Sequence, residues 1–236
     1  KRLTVCPLED REWRQAQLPG RLAGFGLRGS TDSADAAYVA SRAATHRLCQ
    51  AVHHGHAWNA APGSHLGDAL ARLRERLPNG ALDEAPPAGA ELRAEQNRRA
   101  TEQDDRLLRG EEPSGADRGC QQRLTRALEA RAFKELLAEA ERRADPEATR
   151  RLVAYSAPNA GRWLQATPSK VLDKNLANAE LSTALKLQLG VDIFEADGVC
   201  GFCGAVNDRK GVHARGCTCG RDFDLRHSAQ RNAVFA

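Results

Sequence analysis

Four of the seven cysteines lie within twenty residues near the C-terminus: Cys200-Gly201-Phe202-Cys203, nine residues, His213-Ala214-Arg215-Gly216-Cys217, and then Cys219. No other feature constrains the chain as strongly. A Cys-x-x-Cys turn points two thiolates at one place. Tetrahedral zinc takes four nitrogen or sulfur ligands, so a second pair has to return from a nearby loop. Gly201, Gly204, Gly211 and Gly216 supply the tight turns that such a return needs. So short a segment cannot bury a core of its own, and the metal is expected to provide its folding free energy. The ligand set read from the spacing is Cys200, Cys203, His213 and Cys217. Cys219 is an alternative to Cys217, and His227 an alternative to His213 or an outer ligand. The competing reading is a set of free thiols, or a redox pair at Cys200 and Cys203. A redox Cys-x-x-Cys belongs between a strand and a helix, whereas here the surroundings are Gly-rich and further Cys and His follow. Four protein ligands close a zinc site, while a catalytic zinc keeps one position for water. The expected role is therefore structural.

The remaining cysteines, Cys6, Cys49 and Cys120, are scattered, and their total with the others is odd. That distribution suits a metal site in a reducing compartment, nuclear or cytoplasmic, better than a disulfide framework. No apolar run approaches the roughly 18 residues that span a bilayer, and no secretory signal is visible at the N-terminus, so no membrane partner is expected. The chain contains no Met and reads as a fragment or a processed piece. Its net charge of +4 is compatible with nucleic-acid binding without demanding it.

Aromatics make up only 5 % of the residues, so a core has to be built from Leu, Ala and Val. With 28 % charged residues and few β-branched ones, amphipathic helices are the economical solution. The predicted class is mostly α: helical segments joined by a flexible acidic linker, with a small zinc-stabilised C-terminal module. After turns at Leu18-Pro19-Gly20 and Gly24-Phe25-Gly26-Leu27, the residues Ser30 to Ser33 can cap a helix over about 34–52. Tyr38, Ala44, Leu48 and Val52 are its predicted apolar face. Leu66, Leu70, Leu73 and Leu77 mark a second helix, closed by Pro78 and Gly80. Residues 83–117 are acidic, contain Pro86-Pro87 and carry few large apolar residues, which reads as a linker or a solvated helix. Helical period returns from Gln121 through Leu124, Leu128, Leu136 and Leu137. Asp145-Pro146-Glu147 starts another helix, residues 156–161 break it, and a last helix with Leu176, Leu181, Leu185 and Leu189 stops at Gly190. The predicted segments are 1–82 (helical, thumb-like), 83–117 (linker), 118–195 (helical) and 196–236 (zinc module).

Residues 198–236 carry six Lys or Arg against three Asp, and Phe202 sits between two proposed ligands. An aromatic there can stack on an unpaired base, and cations can meet phosphates. The candidate contacts are Phe202, Lys210, Arg215, Arg226 and His227. The bland alternative is that the charges are solvated and Phe202 packs on the metal loop. His53-His54-Gly55-His56 looks like a metal tract, but adjacent His residues followed by Gly do not share a helix face, so it reads as a helix end. No phosphate-binding Gly-Lys loop, nucleophile elbow or paired-aspartate polymerase motif is present.

Three blocks in order make the chain resemble the region that follows the polymerase domain in non-LTR retrotransposon reverse transcriptases. The first runs from Gln17-Leu18-Pro19 through Gly24-Phe25-Gly26-Leu27-Arg28 to Ala36-Ala37-Tyr38-Val39-Ala40-Ser41. The second is Ser156-Ala157-Pro158 with Ala160-Gly161 and Trp163-Leu164, then Pro168, followed by the helix end Leu185 to Gly190. The third is Asp208, Gly211, His213 and Cys217 with Arg226-His227; Val212 and Ser228 depart from the family pattern, and residues 55–120 match no block. The resemblance implies a tail behind the polymerase thumb whose zinc knuckle grips template RNA or target DNA. With palm and nuclease motifs absent, a non-catalytic nucleic-acid-binding fragment is expected. The alternative is a zinc-stapled protein-interaction module on a helical scaffold.

Overall fold

The computed structural model describes residues 7–77, 92–113, 119–165, 167, 169 and 176–219. Its elements, in chain order, are α1 (Asp10–Gln17), α2 (Ser30–Val52), α3 (His65–Arg76), α4 (Leu92–Leu108), α5 (Cys120–Arg142), α6 (Pro146–Ser156), α7 (Asn178–Leu189), β1 (Gly198–Val199), β2 (Val206–Asn207) and α8 (Val212–Gly216). The described chain is thus mostly helical, with a small Cys/His-bearing hairpin near its C-terminus. No helix among the described residues is long and apolar enough to cross a membrane. The chain forms two compact units, Arg14–Ala160 and Lys1–Trp13 with Gly161–Ala236. The break read from the sequence over 156–161 falls where the first unit ends and the second resumes.

In the Arg14–Ala160 unit, Ala36, Val39, Ala40 and Ala43 of α2 pack with Leu66, Ala69, Leu70 and Leu73 of α3 and with Leu124, Ala127 and Leu128 of α5. This corrects the predicted face of α2. Tyr38, Leu48 and Val52 are exposed, Val52 by 81 %, and Ala44 is exposed too. The helix lies against both α3 and α5, and the small side chains let the backbones approach, which leaves the larger apolar residues of α2 outside. The four residues read as possible caps are the first turn of α2 instead, with Gly29 as the cap.

The expected linker is also corrected in part. Within the acidic 83–117 stretch, α4 is helical and buries Leu107 and Leu108 in the same cluster as α2, α3 and α5. Its Asp104 is 1 % exposed and paired with the Arg123 guanidinium, whose Nη2 donates to Oδ1 at 2.9 Å. A carboxylate so neutralised can enter a core, which a tally of acids along the chain does not show. Beyond α4, the Trp58 indole donates to the Gly110 carbonyl at 3.1 Å. One core therefore draws on the first helical segment, the acidic stretch and α5.

Local interactions close the helix ends. Ser64 caps α3 by accepting from the Gly67 N–H at 2.9 Å. Asp145 caps α6 through Ala148, also at 2.9 Å, with Pro146 in the first turn. Gly190 ends α7 in the left-handed conformation, φ 72°. Leu176 lies before α7 and is exposed. The turn after α1 wraps so closely that a Cβ on Gly24 would stand 1.9 Å from the Leu18 carbonyl oxygen. Pro168, Arg226 and His227 lie outside the described residues.

Candidate metal centre

The centre is built on a hairpin followed by a helical turn. β1 and β2 are antiparallel, with Gly198 opposite Asn207 and Val199 opposite Val206. The loop between them is closed by Cys200 N–H donating to the Ala205 carbonyl at 2.8 Å and Gly204 N–H donating to the Cys200 carbonyl at 2.9 Å. Gly204 has φ 72°, a conformation that L side chains resist. This closure places Cys200 and Cys203 on one tight turn.

The second ligand pair returns on a helix, not on a loop. Gly211, at φ 69°, reverses the chain after β2. The Asp208 carboxylate then accepts the N–H groups of Val212 at 3.1 Å and His213 at 2.9 Å, which starts α8. Burial pushes the Asp208 carboxyl upward, but the His213 and Val212 N–H groups outweigh it and hold it below its ordinary value. His213 and Cys217 are four residues apart, and Cys217 N–H donates to the His213 carbonyl at 2.8 Å. That spacing puts both side chains on one face of the turn.

The four proposed ligands do converge. Cys200 Sγ lies 3.7 Å from Cys217 Sγ, Cys217 Sγ 3.8 Å from Cys203 Sγ, and Cys203 Sγ 3.2 Å from His213 Nε2. All four ligand atoms fall within 4.8 Å of one another, so the group could hold a metal ion. A tetrahedral ion with metal–sulfur bonds of about 2.3 Å sets neighbouring sulfurs about 3.8 Å apart, and the two sulfur–sulfur distances meet that requirement. The cysteines are free thiols with no disulfide among the described residues. Cys219 is exposed and is not in the group.

The electrostatics fit a cation. The N–H groups of Phe202 and Cys203, with the His213 ring, lower the Cys200 thiol to about 6. The Ala205 N–H favours the Cys203 thiolate, but burial and the neighbouring Cys200 and Cys217 sulfurs outweigh it and push that thiol up. Clustered thiolates repel one another, and a divalent ion at their centre removes the conflict.

Arg209 ties the preceding arm to the site. Its carbonyl accepts the N–H groups of Ile193 at 2.7 Å and Phe194 at 3.0 Å, and its own N–H donates to Asp197 at 2.8 Å. Its guanidinium lies 3.5 Å from Asp192 and 3.9 Å from Asp197. Arg209, which the sequence offers only as one of several cations for phosphates, and Asp208, which it offers only within the third block of the resemblance, serve here as supports of the site. The signal for Asp208 was available, as an Asp followed three residues later by Gly at a helix start. Of the predicted contact residues, Phe202 is 72 % exposed, Arg215 is exposed with its Nε donating to the Gly211 carbonyl at 3.3 Å, and Lys210 is half-buried.

The histidine tract supplies no ligand group among the described residues. His53 Nδ1 accepts the Gly55 N–H at 3.0 Å. His56 packs against the buried His46, ring centres 5.3 Å apart. His46 Nε2 lies 2.8 Å from the Glu112 carboxylate.

Neither a protein-family model, nor a curated protein, nor a solved structure matches the chain.

Proposed function

We propose that this chain is a non-catalytic, nucleic-acid-binding segment of a retrotransposon reverse transcriptase-like protein. Its C-terminal module is stapled by zinc and contacts template RNA or target DNA. The observation that carries the reading is the closed Cys200, Cys203, His213 and Cys217 group with an exposed Phe202 on the turn between its first two members. Three cysteine sulfurs and one imidazole nitrogen within 4.8 Å of one another make a zinc donor set. With all four positions filled by protein, no place is left for a reactive water, so the ion shapes the module and takes no part in chemistry. When bound, zinc supplies folding free energy and a fixed display of the loop. The ordered blocks that resemble the post-polymerase region support the parentage.

A second reading, a zinc-stapled protein-interaction module, is favoured by the charge balance. Residues 191–219 hold four acids, Asp192, Glu195, Asp197 and Asp208, against three bases, Arg209, Lys210 and Arg215. Fluorescence anisotropy of a labelled single strand, titrated with the full chain at two salt concentrations with and without chelator, separates the two. Binding that weakens with salt and disappears on metal removal supports the nucleic-acid reading. A metal-loaded chain that binds no strand leaves the protein-interaction reading.

A further inference from the structure

The metal centre holds its sulfurs unequally. Cys203 is exposed, whereas Cys200 and Cys217 are half-buried. Among the described residues, nothing stands over the turn that carries Cys203: a Cβ on Gly201 or on Gly204 would meet no atom within 4 Å. Solvent and small solutes therefore reach the Cys203 sulfur directly.

Coordination makes every ligand sulfur a thiolate, so access and hydrogen bonding decide which one reacts first. Cys200 is shielded on both counts, because the N–H groups of Phe202 and Cys203 donate to its sulfur. Cys203 takes that of Ala205. The Cys203 sulfur stands 3.8 Å from that of Cys217, close enough for the two to join after a small shift of either side chain. Two neighbouring thiolates, one of them open to solvent, are the starting geometry for a disulfide. A peroxide is the class of small oxidant that takes two electrons from such a pair.

We infer that Cys203 and Cys217 form an oxidation switch: hydrogen peroxide joins them in a disulfide, and the module loses its metal ion. This rests on the zinc reading above and adds regulation to that site. The Cys203 thiolate attacks one peroxide oxygen, the O–O bond breaks, and a sulfenic acid and a hydroxide result. The Cys217 thiolate then attacks the Cys203 sulfur; the S–S bond forms, the S–O bond breaks, and a second hydroxide leaves. The two sulfurs have lost two electrons, the peroxide has gained them, and two protons from solvent complete two waters. Cys200 and His213 alone remain as ligands, too few for a closed site. Because order in so small a module comes with the ion, oxidation removes the shape that a partner meets. A thiol reductant with zinc restores it. Cys219, exposed but outside the ligand group, takes no part in the step.

The test treats the full, zinc-loaded chain with a small molar excess of hydrogen peroxide. Zinc release is followed with a chromogenic chelator, and disulfides are mapped by peptide mass spectrometry. The expected result is loss of the bound zinc with Cys203–Cys217 as the main disulfide. Addition of a thiol reductant and zinc should then return both the ion and the free thiols. Cys219→Ser, which leaves all four ligands in place, is expected to release zinc at about the wild-type rate. Zinc that stays bound while Cys219 is oxidised, release accompanied only by sulfinic acids, or a main disulfide between any other pair overturns the switch and leaves the zinc reading standing. Much slower release from Cys219→Ser also overturns it, because that thiol and not Cys217 would then complete the disulfide. A chain that holds no zinc before peroxide is added overturns the zinc reading as well.

Discussion

The Arg14–Ala160 unit and the metal hairpin reach order by opposite means. The first buries Leu66, Leu70, Leu73, Leu124 and Leu128 against the small residues of α2, and its polar exceptions, Asp104 among them, are paired. Burying each leucine side chain contributes on the order of 2 kcal/mol. The second exposes Val199, Phe202, Val206 and Val212 and has no comparable cluster of its own. What it has is a dense set of local constraints: a closed turn, left-handed Gly204 and Gly211, the Asp208 cap and four converging ligand atoms. Where apolar burial is plentiful, order needs no ion. Where it is scarce, directional ligands take its place.

The contrast breaks most visibly at a ligand. Cys203→Ser, or a chelator added to wild type, is expected to abolish stoichiometric metal binding and the ordered NMR signals of 198–217. The helical far-UV circular dichroism of α2, α3 and α5 should barely change. If metal content and the order of the C-terminal residues survive the substitution, the ligand assignment is wrong. The converse variant is Leu124→Ala in the fully buried centre of the helical cluster. It should cost about 2–5 kcal/mol of stability, seen as a lower thermal midpoint at unchanged metal content.

A smaller effect sits at the edge of the helical unit. His46 and Gln50 of α2 both reach the Glu112 carboxylate, at 2.8 and 3.1 Å. The His46 bond, then that of Gln50, holds the Glu112 carboxyl below its ordinary 4.5. A carboxyl lowered by folding stabilises the fold above its unfolded value, and that contribution is lost as pH falls through the lower folded value. Wild type should therefore lose thermal stability on acidification below about pH 4.5 slightly more steeply than Glu112→Gln. Identical pH profiles would show that the contact contributes nothing in solution.

What the sequence revealed follows the range of the forces involved. Asp145-Pro146, Gly190 and the cysteine spacing act within a few residues, and each has its expected local consequence in the structure. The inward face of α2 was not legible, because it is chosen by two neighbouring helices that accept alanines, and Leu48 and Val52 are left outside. The helix within the acidic stretch was hidden for a similar reason: the partner of Asp104 is Arg123, beyond the stretch itself. At the metal centre the candidate ligands could be read, and Asp208 carried a helix-start signal, but the support from Arg209 could not be read. Arg209 is one basic residue among several until its carbonyl and side chain are seen holding 192–197.

The central claim is that Cys200, Cys203, His213 and Cys217 close a structural zinc site. X-ray absorption at the zinc edge of the full, metal-loaded chain tests it most directly. The account predicts one zinc per chain, with three sulfur neighbours at about 2.3 Å and one nitrogen at about 2.0–2.1 Å. An oxygen in the coordination sphere, fewer than three sulfurs, or a chain that retains no zinc would contradict it.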